Sequence, residues 1–513
     1  MTKLTEQLAN KLIEGQKRLL IKDEHQNMWF TGQQLAKDVA TLKQHFTNLR
    51  VKRGDQVLIC LDNSAVYPIL MQALWELGVI AHPVAATTPL AQLQGDFNEY
   101  DYAMLIAKDS LAKAIINDVV LEKETIKLNT TFNLTTFFNT KMIIERPFES
   151  SGLPTETDLA LILNTSGTTG KPKRVGLTHQ QLFNAASHNI GSHKLTANDT
   201  TMIVMPLSHI NALVIACLST RLSGGKMVIT GKFSARHFWQ QISVNQVTWV
   251  SAVPTIISIL LMNEKSKLVY TQLRDTINLR FIRSASFSLP ESKLVLFEQE
   301  FNTPVIEGYG MTEAAGQITL NPFEAPKVGS VGKSVDTEIS ILVDDQVQTM
   351  NTQLGEIMLR GDHVIADYVD PHPDSFKDGW LLTGDLGYLD EEGYLFIKGR
   401  SRDMINHGGE KVAPVEVESI LSKLDLVADI AVIGLPDDLY GEAVVAVIIS
   451  KTPAVSEFTQ MKAVIDFAKN NLATFEQPTQ VYFVDKFPRN PTGKVSRAQL
   501  KAELAQSLIG DRS

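Results

Sequence analysis

The sequence predicts an α/β protein: a large N-terminal domain of parallel sheets flanked by helices, with a β-rich part, followed by a small C-terminal α/β domain. Three observations lead there. Short apolar runs alternate with stretches of helical period through most of the chain; the texture changes to short alternating strands from about Val335 to Ile397; and a compact α/β pattern follows the polar run GRSRD. At 513 residues the chain exceeds what one hydrophobic core serves, so more than one domain is expected.

The elements follow in order. Gln56 to Leu61 (QVLICL) reads as a buried strand, Asp62-Asn63-Ser64 offers helix caps, and Val66, Ile69, Leu70, Ala73, Leu74 and Leu77 recur with helical period until Gly78. A strand resumes at Val79. The alternation returns as the strands MIVMPL and KMVIT, the helix-like SARHFWQQISV, the strand VTWVS, a helix begun at Pro254, the strand LRFIR, a helix begun at Pro290, and PVIEGYG. Such alternation implies parallel sheets with helical crossovers. Turns of the Asp-Glu-Glu-Gly and Lys-Asp-Gly kind separate the short strands up to Ile397, which implies an antiparallel or barrel-like part. Glu416 to Leu508 reads as an α/β unit of its own, and the glycine-containing run Gly399 to Asp403 marks the boundary.

Composition excludes several function classes. Only Cys60 and Cys217 occur, both in apolar surroundings, which argues for a reducing compartment and against a disulfide framework or thiolate metal site. The N-terminal segment mixes charge throughout and no apolar run approaches a membrane span, so a cytoplasmic protein is expected. A net charge of −9 without a basic block disfavours nucleic acid as the main partner. His188, His193, His209 and His237 share no sequence spacing with a carboxylate or cysteine partner that would suggest a metal site.

The chemistry is concentrated in a few segments. Leu163 to Thr178 reads LNTSGTTGKPKRVGLT, in which Gly167 and Gly170 let backbone N–H groups converge on an anion, Ser166, Thr168 and Thr169 add hydroxyls, and Lys171 and Lys173 add charge. It is not a Walker loop, because only two residues separate Gly167 from Gly170-Lys171 and Pro172 stands where a magnesium-binding hydroxyl belongs. Alone, such a stretch reads equally as a flexible polar linker. Four further segments stand with it: EGYGMTE at Glu307 to Glu313, WLLTGD at Trp380 to Asp385, KGRSRD followed by GGEKVAPVEVE, and PTGKVSR at Pro491 to Arg497.

In this order and spacing, and over nearly the whole chain, these segments resemble the AMP-forming adenylating enzymes: acyl-CoA synthetases, carrier-protein adenylation domains and luciferases. The resemblance implies ATP, Mg²⁺ and coenzyme A as cofactors and a small-molecule carboxylic acid as substrate. It makes Thr165, Ser166, Gly167, Thr168, Thr169, Gly170, Lys171 and Lys173 the phosphate loop, and Glu307, Gly308 and Tyr309 part of the nucleotide seat. Asp385 would accept both ribose hydroxyls with Arg400 beside it, Thr312 would donate to the α-phosphate, and Glu313 would hold the metal. Lys494 would clamp the substrate carboxylate and α-phosphate during adenylation. Each has a plain alternative: a solvated loop carboxylate for Glu313, a core aromatic for Tyr309, an ordinary turn for Thr-Gly-Asp, and a solvated lysine for Lys494.

His209, in PLSHIN, is by residue type a polar strand tip; the resemblance makes it a pocket wall or gate beside the acyl group, with Asn211, Ser284 and Gly316 around it. Gly409 would let the pantetheine arm pass close to the backbone, although Gly408-Gly409 alone is just a turn, and Arg402 matches the hinge. The domains implied are residues 1–399, a hinge at 400–403 and a small mobile domain at 404–513 carrying Lys494. Arg174 departs from the family's glycine and would add positive charge at the end of the phosphate loop.

Within the family, FSARHFW, TWVSAVPTI, LRFIRSAS and INHGGEKVAPVEVE resemble the oxalyl-CoA synthetase branch. The positions associated there with oxalate recognition fall at Asn211 and Gly316, so the branch implies a small or medium polar acid without specifying oxalate. The pocket candidates Ser208, Asn211, Ser284, Ser286, Gly316 and Gln317 are short or hydrogen-bonding, which agrees. The resulting expectation is an AMP-forming acid:CoA ligase. The alternative is a stand-alone adenylation enzyme loading an acyl or aryl acid onto a carrier protein; a homodimer or an acyl-carrier protein are the protein partners left open. Pro206 to Leu213 holds no acidic residue to bind an α-amino group, which argues against amino-acid activation, and the presence of Glu313, Asp385 and Lys494 argues against a catalytically silent homologue.

Overall fold

The computed structural model describes residues 1–115, 122–131, 133–138, 152–165, 173–344, 346–348, 352–437, 439–489 and 494–510. Four sheets organise them. The largest has nine strands in the spatial order Lys333–Ser334, Gly316–Leu320, Val305–Met311, Phe281–Ser284, Trp249–Ala252, Thr200–Ile203, Lys226–Ile229, Leu19–Asp23 and Met28–Thr31. Its middle, from Val305–Met311 to Leu19–Asp23, is parallel, as helical crossovers require, and both ends close with antiparallel partners. The seven-stranded sheet is built likewise around parallel Tyr102–Ala107, Gln56–Cys60, Ile80–Pro83 and Leu159–Thr165.

One apolar core runs through both sheets and the helices between them. Helix Val66–Glu76 shows why: VYPILMQALW is buried all round, so the helix lies inside the fold rather than on it. Helix His179–Ser192 starts in a capping box, in which the Thr178 hydroxyl accepts from Gln181 N–H while the Gln181 side chain accepts from Thr178 N–H. The segment SARHFWQQISV becomes helical only at Phe238, because the Ser234 hydroxyl bonds His237 Nδ1 and holds the preceding residues in a turn. Cys60 and Cys217 are buried free thiols, pushed up to about 11 and about 12 by burial, as core residues should be.

The texture change after Val335 is an antiparallel six-stranded sheet, in which Trp380–Leu389 pairs with Gly355–Arg360 on one side and with Phe376–Lys377 and Leu395–Arg400 on the other. Beyond the exposed turn Ser401–Asp403, a five-stranded sheet is built on the hairpin Val427–Asp437 and Gly441–Ser450. Alternate residues of that hairpin feed two separate apolar clusters, one with Val417, Val432, Val444 and Val464, the other with Ile433, Val445, Leu500 and Leu504. Both clusters are confined to residues after the turn.

Candidate active site

Two hairpins set the acidic centre. Strands Val305–Met311 and Gly316–Leu320 approach so closely that a Cβ on Gly310 would lie 1.7 Å from the Gly316 carbonyl oxygen, which only glycine permits. Their connection, Thr312–Ala314, turns Glu313 inward, where the Tyr368 hydroxyl donates to Oε1 at 3.0 Å and the Ile365 N–H donates to its carbonyl at 2.9 Å. Burial raises the pKa of this carboxyl, opposed by the Tyr368 hydrogen bond and by Arg400 and Lys173.

In the second hairpin, Asp385 and Arg400 are register partners on Trp380–Leu389 and Leu395–Arg400. Arg400 Nε meets Asp385 Oδ1 at 2.9 Å, and the Tyr309 hydroxyl donates to Oδ2 at 2.6 Å. Thr383 Oγ1 accepts from the Asp385 N–H, fixing the turn before it. Each carboxylate oxygen keeps a further acceptor position, so Asp385 is held in place and still able to bind two hydroxyls. Tyr309 is therefore tied to the carboxylate by hydrogen bonding, not merely packed.

Thr165 and Lys173 face each other across the hairpin of Leu159–Thr165 and Lys173–Thr178, so the glycine-rich loop springs from its tip. Ser166, Gly167, Thr168, Thr169, Gly170 and Lys171 lie outside the described residues. Lys173 points toward Glu313's partner, with Nζ 4.6 Å from the Tyr368 ring centroid and 2.8 Å from Ser375 Oγ. Arg174, on the opposite face of the strand, is buried: it lies 3.7 Å from the centroid of the Tyr100 ring and donates to Gln56 Oε1 at 2.8 Å. The expected extra charge at the loop is thus turned into the core, because successive strand residues face opposite ways.

Lys494 belongs in sequence to the small C-terminal part, yet it lies within electrostatic reach of Asp385 and Arg400. It is half-buried, and desolvation, with Arg400 and Arg497 adding to it, lowers its pKa to about 8 against the pull of Asp403 and Asp385. Glu307 is buried on the same strand as Tyr309; burial and the nearby Glu291 and Glu298 raise its pKa to about 8, and the Leu289 N–H bonds it.

Next to these hairpins the strands Trp249–Ala252, Phe281–Ser284 and Gly316–Leu320 pack with the π-helix Asn211–Leu218 around a group of buried polar side chains. Asn211 Oδ1 accepts from Ser251 at 2.6 Å, and Gly316, at φ +123°, approaches Ile215 of the π-helix. Ser208 Oγ, His209 Nε2, Asn211 Nδ2 and Ser284 Oγ are buried without a hydrogen-bond partner among the described residues. Burial lowers the pKa of His209, so it presents a neutral ring. Arg283 is fully buried, opposite Ser251 in register, with Nη2 3.4 Å from where a Cβ on Gly308 would stand. Its Nε donates to Gln317 Oε1 at 3.3 Å, Gln317 Nε2 donates to Ser192 Oγ at 2.9 Å, and both terminal guanidinium nitrogens have no partner among the described residues. Burial alone lowers its pKa to about 10, so it remains a cation.

The structure thus brings Thr312, Glu313, Tyr309, Asp385, Arg400, Lys173 and Lys494 around one region, while Ser208, His209, Asn211, Ser284 and Gly316 are buried in the elements beside it. Gly408 and Gly409 form instead the turn between Ile405–His407 and Glu410–Val412, with φ +63° and +94° and open space around Gly409. Arg402 lies in the exposed turn Ser401–Asp403, 3.6 Å from Asp403. Arg283 and Tyr368 are the residues that sequence reasoning passed over.

Comparison with known proteins gives the family. The model of the AMP-binding enzyme family matches residues 13–369, and that of the AMP-binding enzyme C-terminal domain matches residues 416–494. An oxalate–CoA ligase of Saccharomyces cerevisiae is 36% identical, covering 72% of this chain and 67% of its own. A sulfoacetate–CoA ligase of Cupriavidus necator is 31% identical over 91% of each. Among solved structures, the o-succinylbenzoate CoA synthetase of Bacillus subtilis in complex with its acyl-adenylate intermediate superposes with a TM-score of 0.78, at 28% identity over 96% of this chain and 98% of that one.

Proposed function

We propose, for a chain that belongs to the AMP-binding enzymes and acts as an AMP-forming acid:CoA ligase, that the acid is small and carries a second anionic group beside the carboxylate it activates. The observation that carries this reading is Arg283. A buried guanidinium with neither a carboxylate partner nor bonds to its terminal nitrogens among the described residues is a costly arrangement, unless an anion reaches it with the substrate. Asn211, whose Oδ1 accepts from Ser251, the register partner of Arg283, keeps an Nδ2 without a partner among the described residues as a further donor. The relatives named for oxalate and sulfoacetate act on acids of this kind, which supports the reading. A carrier-protein acceptor is not favoured, since these relatives are CoA ligases.

In the first half-reaction a carboxylate oxygen attacks the α-phosphorus of ATP and the bond to pyrophosphate breaks; in the second, the CoA sulfur attacks the acyl carbon and AMP leaves with the electron pair. Both anions must be brought together in the first step, so the residues' main work is charge neutralisation and alignment. Asp385, braced by Tyr309 and Arg400, is suited to accept the ribose hydroxyls. Lys494, with its ammonium near Asp385 and Arg400, is suited to sit between the acid and the α-phosphate. Glu313 offers the hard oxygen donor that Mg²⁺ prefers, with Lys173 close by for phosphate. Mg²⁺ held there would neutralise the departing pyrophosphate. Gly409, on an open turn away from this cluster, fits the pantetheine path only after residues 404–513 rotate about 400–403 relative to residues 1–399.

The test is an acid panel scored for AMP release with and without CoA, run on wild type and Arg283→Met. Short dicarboxylates and sulfocarboxylates should exceed monocarboxylates of equal length by about tenfold or more, the worth of one charge-assisted hydrogen bond, and the variant should erase that preference. Equal use of both classes by wild type would overturn the second anionic group while leaving the ligase activity intact.

A further inference from the structure

We propose that His188, Asp362 and His363 form a binding site for a divalent transition cation of the zinc class, distinct from the magnesium that accompanies ATP. His188 is remote in sequence from the adjacent pair Asp362-His363, and they come together because helix His179–Ser192 is docked on the turn at Gly361–Val364. Gln181 Nε2 donates to the Val364 carbonyl at 2.9 Å and Asn184 Nδ2 to the Asp362 carbonyl at 3.3 Å. One helical turn further, His188 reaches the same turn.

The donor atoms converge. His363 Nδ1 lies 3.2 Å and His188 Nε2 3.7 Å from Asp362 Oδ1, and one ligand atom from each residue falls within a 4.8 Å set. Two ligands of one tetrahedral zinc ion stand about 3.4 Å apart when each bond is about 2.1 Å, so small side-chain adjustments close the set around a cation. The rings meet edge to face at 4.9 Å, which aims both toward the carboxylate rather than stacking them away from it.

For His363 an outer shell is already in place. His363 is fully buried, its Nε2 lies 3.2 Å from Thr337 Oγ1, and the ring also bonds the Gln317 carbonyl, so its orientation is fixed and Nδ1 is left facing Asp362. His188 Nδ1 is buried without a hydrogen-bond partner among the described residues. Asp362, by contrast, is exposed at 56% of its side-chain surface, which gives the site a mouth for metal entry and a solvent-facing fourth position. Two imidazoles and one carboxylate select zinc, cobalt or nickel over magnesium and calcium, which prefer oxygen alone. A cation here would pin the helix to the strap that carries Ile365, whose N–H holds the Glu313 carbonyl.

The experiment uses untagged, metal-stripped full-length protein titrated with Co²⁺ in excess Mg²⁺, followed by the visible absorption of nitrogen-ligated cobalt, with Zn²⁺-dependent melting as a second readout. One equivalent should bind and Mg²⁺ should not displace it. Asp362→Ala and His188→Gln should weaken Co²⁺ by more than the roughly 10- to 100-fold that loss of an outer-shell partner costs, and should abolish the melting shift from Zn²⁺. Substitution of the buried His363 risks the fold, so the exposed Asp362 carries the test, with retained ligase activity showing an intact chain. Failure of wild type to bind one equivalent, or unchanged binding in Asp362→Ala, overturns the site.

Discussion

Lys494 unites position and titration in one group. Its pKa is lowered from the ordinary lysine range to about 8, chiefly by desolvation, so the ammonium needed between two anions is lost as pH rises through that value. Acyl-adenylate formation should therefore decline above about pH 8 in wild type. Lys494→Ala should lose roughly a hundredfold or more of that half-reaction, show no such decline, and leave thioester formation from supplied acyl-AMP largely unchanged. Pyrophosphate exchange and acyl-AMP consumption measure the two steps separately, and equal damage to both would make the lysine structural. For Glu313→Gln, most of the Mg²⁺-dependent rate should vanish while the fold survives, since the amide keeps the hydrogen bond from Tyr368; wild-type turnover at saturating Mg²⁺ would rule out the metal role. These residues were legible because each is embedded in a short segment that carries its own signature. Arg283 and Tyr368 were not: an arginine in a strand and a tyrosine in a loop acquire meaning only from Gln317 and Glu313, brought beside them by strand pairing and by the 361–368 strap.

At the scale of elements, the strand–helix alternation was read correctly because buried parallel strands are continuous apolar runs and their crossovers have helical period. Boundaries slipped where side chains compete with the backbone, as at Ser234 before the helix Phe238–Asn245. The convergence of His188 with His363 was invisible, since no local spacing encodes the docking of a helix on a distant turn. The turn Ser401–Asp403 is short and exposed and leads from the six-stranded sheet into the five-stranded one. A rotation there would need large backbone changes at one or two residues, and proline at 402 would remove the freedom in φ. Arg402→Pro should accordingly adenylate and fail to form thioester; normal overall turnover would place the pivot elsewhere.

Across the whole molecule, the two parts have separate apolar cores and meet through polar contacts: Lys398 with Glu416 at 2.5 Å, Lys293 with Asp429 at 3.8 Å, and Arg489 with Thr255 at 3.4 Å. Pairs of this kind are worth up to about 1 kcal/mol each, enough to bias an orientation without locking it. Asp429→Ala, which also removes the ion pair to Arg489, should slow adenylation about two- to fivefold and spare thioester formation, and added salt should mimic it in wild type; an unchanged ratio of the two rates would show that these contacts do not hold the present arrangement. Arg283 acts on the same scale through a different quantity. Unfolding returns its cation to water, so without its acid the chain carries in its interior a charge that opposes its own folding. On the proposed reading the substrate would serve as the missing counter-ion of the native state, and melting temperature would become a reporter of acid identity that needs neither ATP nor turnover. A dianionic acid at a hundred times its dissociation constant should add about 2.7 kcal/mol of stability, a shift of several degrees in a calorimeter, and a monoanion of the same shape at that same concentration should add far less.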